Sequence, residues 1–331
     1  MATINQRIVL ASRPDKVATV GTFRLEEVPL PALAEGQVLE RNDWLSLDPY
    51  MRGRMDDLRS YTAPQALDET MIGGTAGEVI DSRHPKFKPG DRVVGMLGWQ
   101  RFGVSDGKGL TRVDTSRVPL AAYLGPVGMP GVTAWVGVNR IIEPREGETV
   151  VVSAASGAVG SVVGQLARLR GARAVGIAGG PEKCAYVRDE LGFDACVDYR
   201  TELVQGLRAA TPDRIDGAFE NVGGAVLDAA LARMNAFGRI AVCGLIAGYD
   251  GVPMPIHNFR SILVNRLKVQ GFIVTEFPDA WPLALAELGE LVASGRLKYR
   301  ESIADGLENA PEAFLGMLRG RNFGKQLVRL G

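Results

Sequence analysis

The sequence predicts an α/β protein in which a doubly wound parallel sheet is joined to a smaller antiparallel β-barrel. The chain has 331 residues, and about 150 residues per domain gives an expectation of two domains. Short apolar runs separated by Gly and Pro occupy the first ~120 residues, a pattern typical of antiparallel strands. From Glu148 onward, strand-like runs alternate with helix-like runs, and this alternation predicts crossover connections and a parallel sheet.

The barrel is predicted from short apolar runs, several of which alternate apolar and polar residues. The runs are QRIVLAS, TFRLEEVPLP, GQVLERNDWLSLDP, GTAGEVIDS, GDRVVGMLGW and LTRVD. A Pro-Gly-Asp turn signal feeds the strand from Arg92 to Met96. The tail NFGKQLVRL is also strand-like and can return to the barrel. We therefore expect a discontinuous barrel domain, residues 1–124 and 297–331, around a second domain of residues 125–296.

In the second domain, strands with apolar residues on both faces alternate with helices of about a dozen residues. The predicted strands are 149–154, 172–179, 195–199, 216–222, 239–246 and 268–274. The predicted helices are one that starts near Pro130, then 158–170, 181–191, 201–210, 225–234, 258–266 and 281–294, with another at 311–319. This arrangement matches a doubly wound dinucleotide-binding fold.

A glycine-rich turn follows the first strand of this domain, in the segment VVVSAASGAVGSVVGQLARLRG. It matches the dinucleotide fingerprint, with Ala155 in place of the first glycine. Gly157 lets the backbone approach a pyrophosphate, and Gly160 lets the helix pack closely on its strand. Ala158 and Val159 lie between them, where the helix N-terminus offers N–H groups and a positive dipole. The alternative interpretation is a glycine-rich turn that serves packing alone.

The cofactor is predicted to be NADP(H) rather than NAD(H). An NAD-binding domain usually has an acidic residue at the end of its second strand, but this strand ends in Gly-Gly-Pro. Lys183 follows at the start of the next helix. A positive charge there is unfavourable for the helix dipole, so its placement favours a role in binding a 2′-phosphate. Tyr199 adds a hydroxyl, and Arg173 and Arg200 are nearby alternatives. Otherwise, Lys183 is a solvated lysine in the first helical turn.

Composition excludes several classes of protein. The 38 basic residues balance the 38 acidic ones, so we expect no nucleic-acid partner and no anionic membrane surface. No apolar run is long enough for a transmembrane helix, and the sparse cysteines indicate a reducing, cytoplasmic compartment. The histidines and cysteines form no recognised zinc pattern, so no metal is expected. They are His84, His257, Cys184, Cys196 and Cys243.

Eight motifs together resemble one known family. They are LSLDPYMRGRM, MIGGTAGEVI, GDRVVG, MPGVTAW, AASGAVGSVVGQLA, ENVGG, FGRIAVCGLIAGY and GRNFGKQLV. The chain resembles a zinc-independent medium-chain dehydrogenase/reductase of the leukotriene B4 12-hydroxydehydrogenase, prostaglandin reductase and curcumin-reductase-like branch. The resemblance implies a Rossmann domain, a GroES-like barrel and a homodimer, with KVQGFIV as a plausible edge strand.

The resemblance also implies the residues of the cofactor site. Beyond the glycine turn, Lys183 and Tyr199, the implied residues follow the carboxyl ends of the later strands or return from the tail. They are Asn221, Cys243, Gly244, Leu245, Ile246, Tyr249, Phe272, Ile273, Val274 and Asn322. Ligands bind at the carboxyl ends of strands in such sheets.

Tyrosines are the natural hydrogen-bond donors for a metal-free hydride addition to an enone. Hydride addition to the β-carbon of an enone builds negative charge on its carbonyl oxygen, which needs a donor. We favour Tyr249 as that donor and Tyr61 as a substrate contact, with Tyr50 from the same motif region nearby. Each tyrosine could instead be a half-buried residue satisfied by the backbone. Trp99 either walls the substrate cleft or belongs to the barrel core.

The predicted function is NADPH-dependent reduction of an α,β-unsaturated ketone or aldehyde, a small-molecule substrate. Quinone reduction is the second enzymatic interpretation. A catalytically silent NADP-binding protein, serving as a structural or RNA-binding component, is the alternative from another class. Arg52 and Arg54 could bind a substrate carboxylate, but anchoring of loops by salt bridges is the preferred interpretation.

Overall fold

The structure is a computed structural model that describes residues 4–331. The chain divides into two compact units: residues 4–124 with Glu301–Gly331, and Gly125–Arg300. Among the described residues, no helix combines the length and the apolarity needed to cross a membrane.

The N-terminal part of the first unit is built from strands and one short helix. The strands are β1 (Ile4–Leu10), β2 (Phe23–Pro29), β3 (Val38–Ser46), β4 (Thr75–Ser82), β5 (Arg92–Gly95), β6 (Phe102–Ser105) and β7 (Thr111–Arg112). The helix α1 (Tyr50–Arg54) follows Pro49, which adopts helical dihedrals. Neither α1 nor β6 was predicted. The helix α1 has only five residues, too few to produce a clear helical period.

The second unit alternates strands and helices as predicted. Its strands are β8 (Thr149–Ser153), β9 (Arg173–Ala178), β10 (Ala195–Asp198), β11 (Ile215–Glu220), β12 (Met234–Val242) and β13 (Lys268–Gly271). Its helices are α2 (Met129–Val136), α3 (Gly160–Leu169), α4 (Pro181–Ala185), α5 (Leu203–Ala210), α6 (Gly224–Leu231), α7 (Arg260–Val264) and α8 (Ala280–Ala293). Single π-helical segments continue α2 through Gly137–Ile142 and α4 through Tyr186–Glu190.

All strands of the second unit form one parallel sheet in the order β10-β9-β8-β11-β12-β13. This confirms the doubly wound α/β fold. The strand order reverses between β8 and β11, so ligands are expected beyond their carboxyl ends. The last strand is an edge, as predicted. The prediction that a helix extends to Met234 was wrong, because Met234 is fully buried and begins β12, paired with Ile215.

The tail strand returns to the barrel of the first unit. The remaining elements are β14 (Glu301–Asp305), α9 (Ala310–Leu318) and β15 (Lys325–Arg329). In the sheet order β14-β15-β3-β4-β5-β7, β15 pairs antiparallel with β3. Together with β6 on β3, this sheet is the predicted GroES-like barrel. The first two predicted strands, β1 and β2, instead pair with each other in a separate two-stranded sheet.

A buried ion pair ties the tail to the chain just before α1. The Lys325 ammonium lies 2.7 Å from a carboxylate oxygen of Asp48 and donates to the Leu47 carbonyl at 2.7 Å. The side chains of Lys325 and Asp48 are only 3% and 8% exposed. Burial lowers the pKa of Lys325, and the nearby carboxylates oppose that effect. Because the two residues are so distant in sequence, only the closed barrel brings them together.

Candidate active site

The glycine turn between β8 and α3 leaves no room for a side chain at Gly160. A Cβ there would lie 2.4 Å from the Ala154 carbonyl oxygen and 2.9 Å from Cα of Ala155. Ala154 itself has φ of +49°, a conformation that non-glycine residues rarely adopt. At Gly157 a Cβ would come within 3.1 Å of the same carbonyl. The turn is therefore held tightly against the end of β8.

The start of α3 offers unused N–H donors. Gly157 N–H donates to the Ala154 carbonyl at 2.9 Å, and Ser161 N–H donates to the Gly157 carbonyl at 3.0 Å. Within the described residues, the N–H groups of Ala158, Val159 and Gly160 make no hydrogen bond to the protein. Free N–H groups and the positive helix end together favour an anion. The turn therefore fits a pyrophosphate, because its unused N–H groups can donate hydrogen bonds to the phosphate oxygens.

Two cations lie close together beyond β9 and β10. Burial, and then the charge of Arg200, lower the pKa of Lys183. Tyr199 and Arg200 pack over Gly179, where a Cβ would lie 2.8 Å from the Tyr199 ring and 3.2 Å from Arg200 Nε. Two like charges held together are stabilised by an anion between them. These residues fit a 2′-phosphate, and Arg200 joins the candidates Lys183 and Tyr199 on its proximity.

Asp198 organises this corner and was not identified from the sequence. Its carboxylate accepts from the Gly180 N–H at 2.9 Å and from the Arg200 N–H at 3.0 Å. These backbone hydrogen bonds lower the pKa of Asp198. An acidic residue at the end of a strand followed by a turn was the available signal.

The alternative assignment of Arg173 to the phosphate is not supported. Arg173 begins β9, so it lies at the edge of the sheet opposite the strand carboxyl ends. Its guanidinium donates to the Ala210 carbonyl at 3.2 Å, at the end of α5.

A hydrogen-bonded cluster closes the gap where the strand order reverses. Ser153 Oγ donates to the Glu220 carboxylate at 2.9 Å and accepts from the Asn221 N–H at 2.7 Å. The same carboxylate accepts from the N–H groups of Val222 and Gly223 at 2.6 and 2.8 Å. Burial raises the pKa of Glu220 against these hydrogen bonds. Ser153 and Glu220 were not predicted as site residues, although Glu220 belongs to the ENVGG motif.

The segment after β12 lies against Asn221. The Cys243 thiol donates to the Asn221 side-chain oxygen at 3.0 Å, and Ile246 N–H donates to the Asn221 backbone carbonyl at 3.1 Å. Burial raises the pKa of Cys243, so this thiol stays protonated. Gly244 is packed closely, since a Cβ there would lie 3.2 Å from the same carbonyl, and Leu245 is exposed.

Tyr249 ends the turn Ile246–Gly248 and is partly exposed. Phe272 is buried in a T-shaped contact with Phe219, at 6.2 Å between ring centroids, and Ile273 and Val274 follow it. The second unit thus collects most of the predicted cofactor residues at the carboxyl edge of its sheet.

The remaining candidates belong to the first unit. Tyr50 begins α1, and burial together with Asp48 raises its pKa. Tyr61 is 60% exposed. Asn322 lines a cavity of ≈ 330 Å³ in this unit, and its amide donates to the Gly324 carbonyl at 2.8 Å.

Trp99 corrects an expectation. It is 0% exposed and lies between Phe23 and Phe314, with ring centroids 5.3 and 5.6 Å away. A fully buried ring offers no wall to a ligand, so Trp99 belongs to the barrel core.

Arg52 anchors a loop, as the preferred interpretation holds. Its side chain is 1% exposed, forms an ion pair with Asp56 at 2.8 Å and donates to the Lys16 carbonyl. Arg54 differs, because its buried Nε has no partner within the described residues.

Comparisons with known proteins show the family of this chain. A family profile described as the N-terminal domain of oxidoreductase matches residues 6–113, and one described as zinc-binding dehydrogenase matches residues 158–290. Across residues 4–331, His, Cys, Asp and Glu side chains form no group of three that could hold a metal ion.

Three relatives are similar over nearly all of their length. The NADPH-dependent curcumin reductase of Escherichia coli (strain K12) is 44% identical over 98% of this chain and 97% of its own. The 2-alkenal reductase (NADP(+)-dependent) of Nicotiana tabacum is 41% identical over 88% of this chain and 86% of its own. The crystal structure of CurA from Vibrio vulnificus in complex with NADPH is 43% identical, with a TM-score of 0.93, over 98% of this chain and 99% of its own. The chain therefore belongs to the zinc-independent medium-chain dehydrogenase/reductases, in the branch of the prostaglandin, alkenal and curcumin reductases, and is an NADP-dependent oxidoreductase.

Proposed function

We propose that this protein reduces the carbon–carbon double bond of α,β-unsaturated ketones and aldehydes with NADPH. The observation that carries the proposal is similarity over nearly the whole chain to a curcumin reductase and a 2-alkenal reductase. The unused N–H groups at the start of α3 and the paired cations beyond β10 support NADPH as the cofactor.

The cofactor residues proposed here lie mostly at one edge of the second unit. Gly157, Ala158, Val159 and Gly160 hold the pyrophosphate through backbone donors, and Lys183 and Tyr199 hold the 2′-phosphate. The other proposed contacts are Asn221, Cys243, Gly244, Leu245, Ile246, Tyr249, Phe272, Ile273, Val274 and Asn322. The hydrogen bonds that hold residues 243–246 on Asn221 support a preformed site.

When bound, NADPH supplies the hydride that adds to the β-carbon of the substrate. The protein must orient the enone and stabilise the charge that develops on its carbonyl oxygen. We assign that hydrogen bond to the Tyr249 hydroxyl, because the turn Ile246–Gly248 holds this residue partly exposed after β12. Tyr61, an exposed residue, and Tyr50 are proposed to contact the substrate.

The proposed assembly is a homodimer, and the proposed compartment is the cytoplasm. The edge strand β13 supports the first, since it has one unpaired side and Val269 is 42% exposed there. The three cysteines, all free thiols, support the second.

The test is NADPH consumption with a simple enone, followed by mass identification of the product. A saturated ketone supports the proposal, whereas an allylic alcohol would overturn it. NADPH binding without turnover on enones would favour quinone reduction, and failure on quinones as well would favour a silent binding protein.

Tyr249→Phe tests the assignment of the donor. We expect turnover to fall by a factor of about 100–1000, the usual cost of removing one such donor. NADPH affinity should stay nearly unchanged, because phenylalanine keeps the aromatic ring and removes only the hydroxyl. Tyr123→Phe is the matched control, since the Tyr123 hydroxyl donates to the Asp114 carbonyl at 2.6 Å. Equal turnover in the Tyr249→Phe variant and the parent would remove Tyr249 from the mechanism.

A further inference from the structure

Two of the three cysteines meet in the second unit. Cys184 lies on α4 and Cys196 on the edge strand β10, and their sulfur atoms are 2.8 Å apart. Both are free thiols. A disulfide bond is about 2.05 Å long, so less than about 1 Å of movement separates this pair from a covalent bond. We propose that Cys184 and Cys196 form a reversible intramolecular disulfide.

The surroundings of the two thiols determine how readily they react. Cys184 is buried and Cys196 is partly exposed. Burial is the main cause that raises the pKa of both thiols, and Arg188 acts in the opposite direction on each. A protonated thiol is a poor nucleophile, so the pair stays reduced under mild conditions. In a reducing compartment such a disulfide is transient.

Hydrogen peroxide is the simplest oxidant that balances the reaction. It oxidises one thiol of the pair to a sulfenic acid and is itself reduced to water. The second sulfur then attacks the sulfenic sulfur, forming the S–S bond and releasing its hydroxyl as a second water. Both thiol protons leave in these waters, and a dithiol reductant reverses the change by thiol–disulfide exchange.

The crosslink joins the two segments that carry the candidate 2′-phosphate residues. Lys183 immediately precedes Cys184, and Tyr199 and Arg200 follow Cys196 by three and four positions. This consequence rests on the proposed NADPH site. Fixing α4 to β10 lowers the entropy lost when these side chains gather around the phosphate. We therefore expect the oxidised protein to bind NADPH more tightly than the reduced protein.

The first experiment treats the full chain with hydrogen peroxide and measures its intact mass. We expect the loss of two hydrogen atoms, a crosslinked peptide pair containing Cys184 and Cys196 after digestion without reductant, and full reversal by dithiothreitol. Cys196→Ser should abolish the crosslink and Cys243→Ser should retain it. Oxygen added to separate cysteines, a disulfide between two chains, or no change in mass would overturn the proposal. The mass measurement on the parent protein tests the proposal even if a cysteine variant fails to fold.

A second experiment measures the dissociation constants of NADPH and NADH for both forms. We expect oxidation to tighten NADPH binding by about two- to fivefold through preorganisation, with little effect on NADH, which lacks the 2′-phosphate. Unchanged or weaker NADPH binding would refute the link to the cofactor while the crosslink stands on its mass. Absence of NADPH binding in both forms would refute the proposed function instead.

Discussion

Replacing Lys183 with alanine tests the origin of the preference for NADPH. The side chain is half-buried beside Arg200, and both factors lower its pKa. Each cation disfavours the charged form of the other, and a 2′-phosphate between them would favour the charged form of both. The variant removes one charge-assisted hydrogen bond, a loss of about 1.5–3 kcal/mol.

The structure places the result for Lys183→Ala in the lower part of that range. Arg200 remains over the Tyr199 ring, 5.9 Å from its centroid, and retains part of the positive potential. We expect the ratio of kcat/KM for NADPH to that for NADH to fall by about 12–30-fold, at 1.4 kcal/mol per tenfold. The double variant with Arg200→Ala should lose about 100-fold or more, because no cation then faces the phosphate.

Steady-state kinetics with both cofactors and one enone measures the effect. Lys108→Ala is the control, since Lys108 is 90% exposed in the first unit. Thermal unfolding of each variant separates lost recognition from lost structure. If the cofactor ratio of Lys183→Ala equals that of the parent while its melting temperature is unchanged, the phosphate assignment is refuted.

Three further predictions concern stability. Gly160→Ala should lower the free energy of unfolding by about 1–3 kcal/mol and weaken NADPH binding, because its Cβ would lie 2.4 Å from a carbonyl oxygen. Gly289→Ala is the control, since a Cβ there meets only Val127, at 3.8 Å. Equal denaturation midpoints for the two variants would contradict this prediction. Glu40 is fully buried, and burial raises its pKa from the ordinary 4.5 to about 8. Between these values the folded state keeps a proton that the unfolded state loses. Stability should therefore fall as pH rises between these values, by up to ~1.4 kcal/mol per pH unit, and Glu40→Gln should flatten that profile in denaturation curves; a parallel profile would argue against it. Lys325→Met leaves the Asp48 carboxylate buried without its counter-ion and should lower the free energy of unfolding by about 3–5 kcal/mol in the same assay. Arg329→Ala removes an exposed ion pair and should lower it by less than about 1 kcal/mol. Similar losses for the two variants would be inconsistent with a buried pair.

The local patterns of the sequence predicted the architecture well. Continuous apolar runs identified the six strands of the parallel sheet, and helix-like runs between them identified most of its helices. The glycine spacing identified the turn at Gly157 and Gly160, because backbone space is a local requirement that only glycine meets. The return of the tail strand to the barrel was also predicted, whereas its pairing with β3 was not. Helix ends were less accurate, as the early end of α6 at Leu231 illustrates.

Individual site residues were harder to predict, because their roles depend on contacts between distant parts of the chain. Asp198 is a site-organising residue only because Gly180, on the neighbouring crossover, donates to it. Trp99 was an ambiguous candidate until its ring was found between Phe23 and Phe314. No sequence pattern states which side chains will face each other across a sheet.

The sequence alone therefore determined the fold class, the glycine turn and the choice of NADP over NAD, since each rests on residues that are neighbours along the chain. Only the tertiary structure decided the pairing of Lys325 with Asp48, the approach of Cys184 to Cys196 and the burial of Trp99. The physical reason is the same for all three. Apolar burial folds the chain, and the interactions that tune the folded protein depend on which distant surfaces that burial brings together.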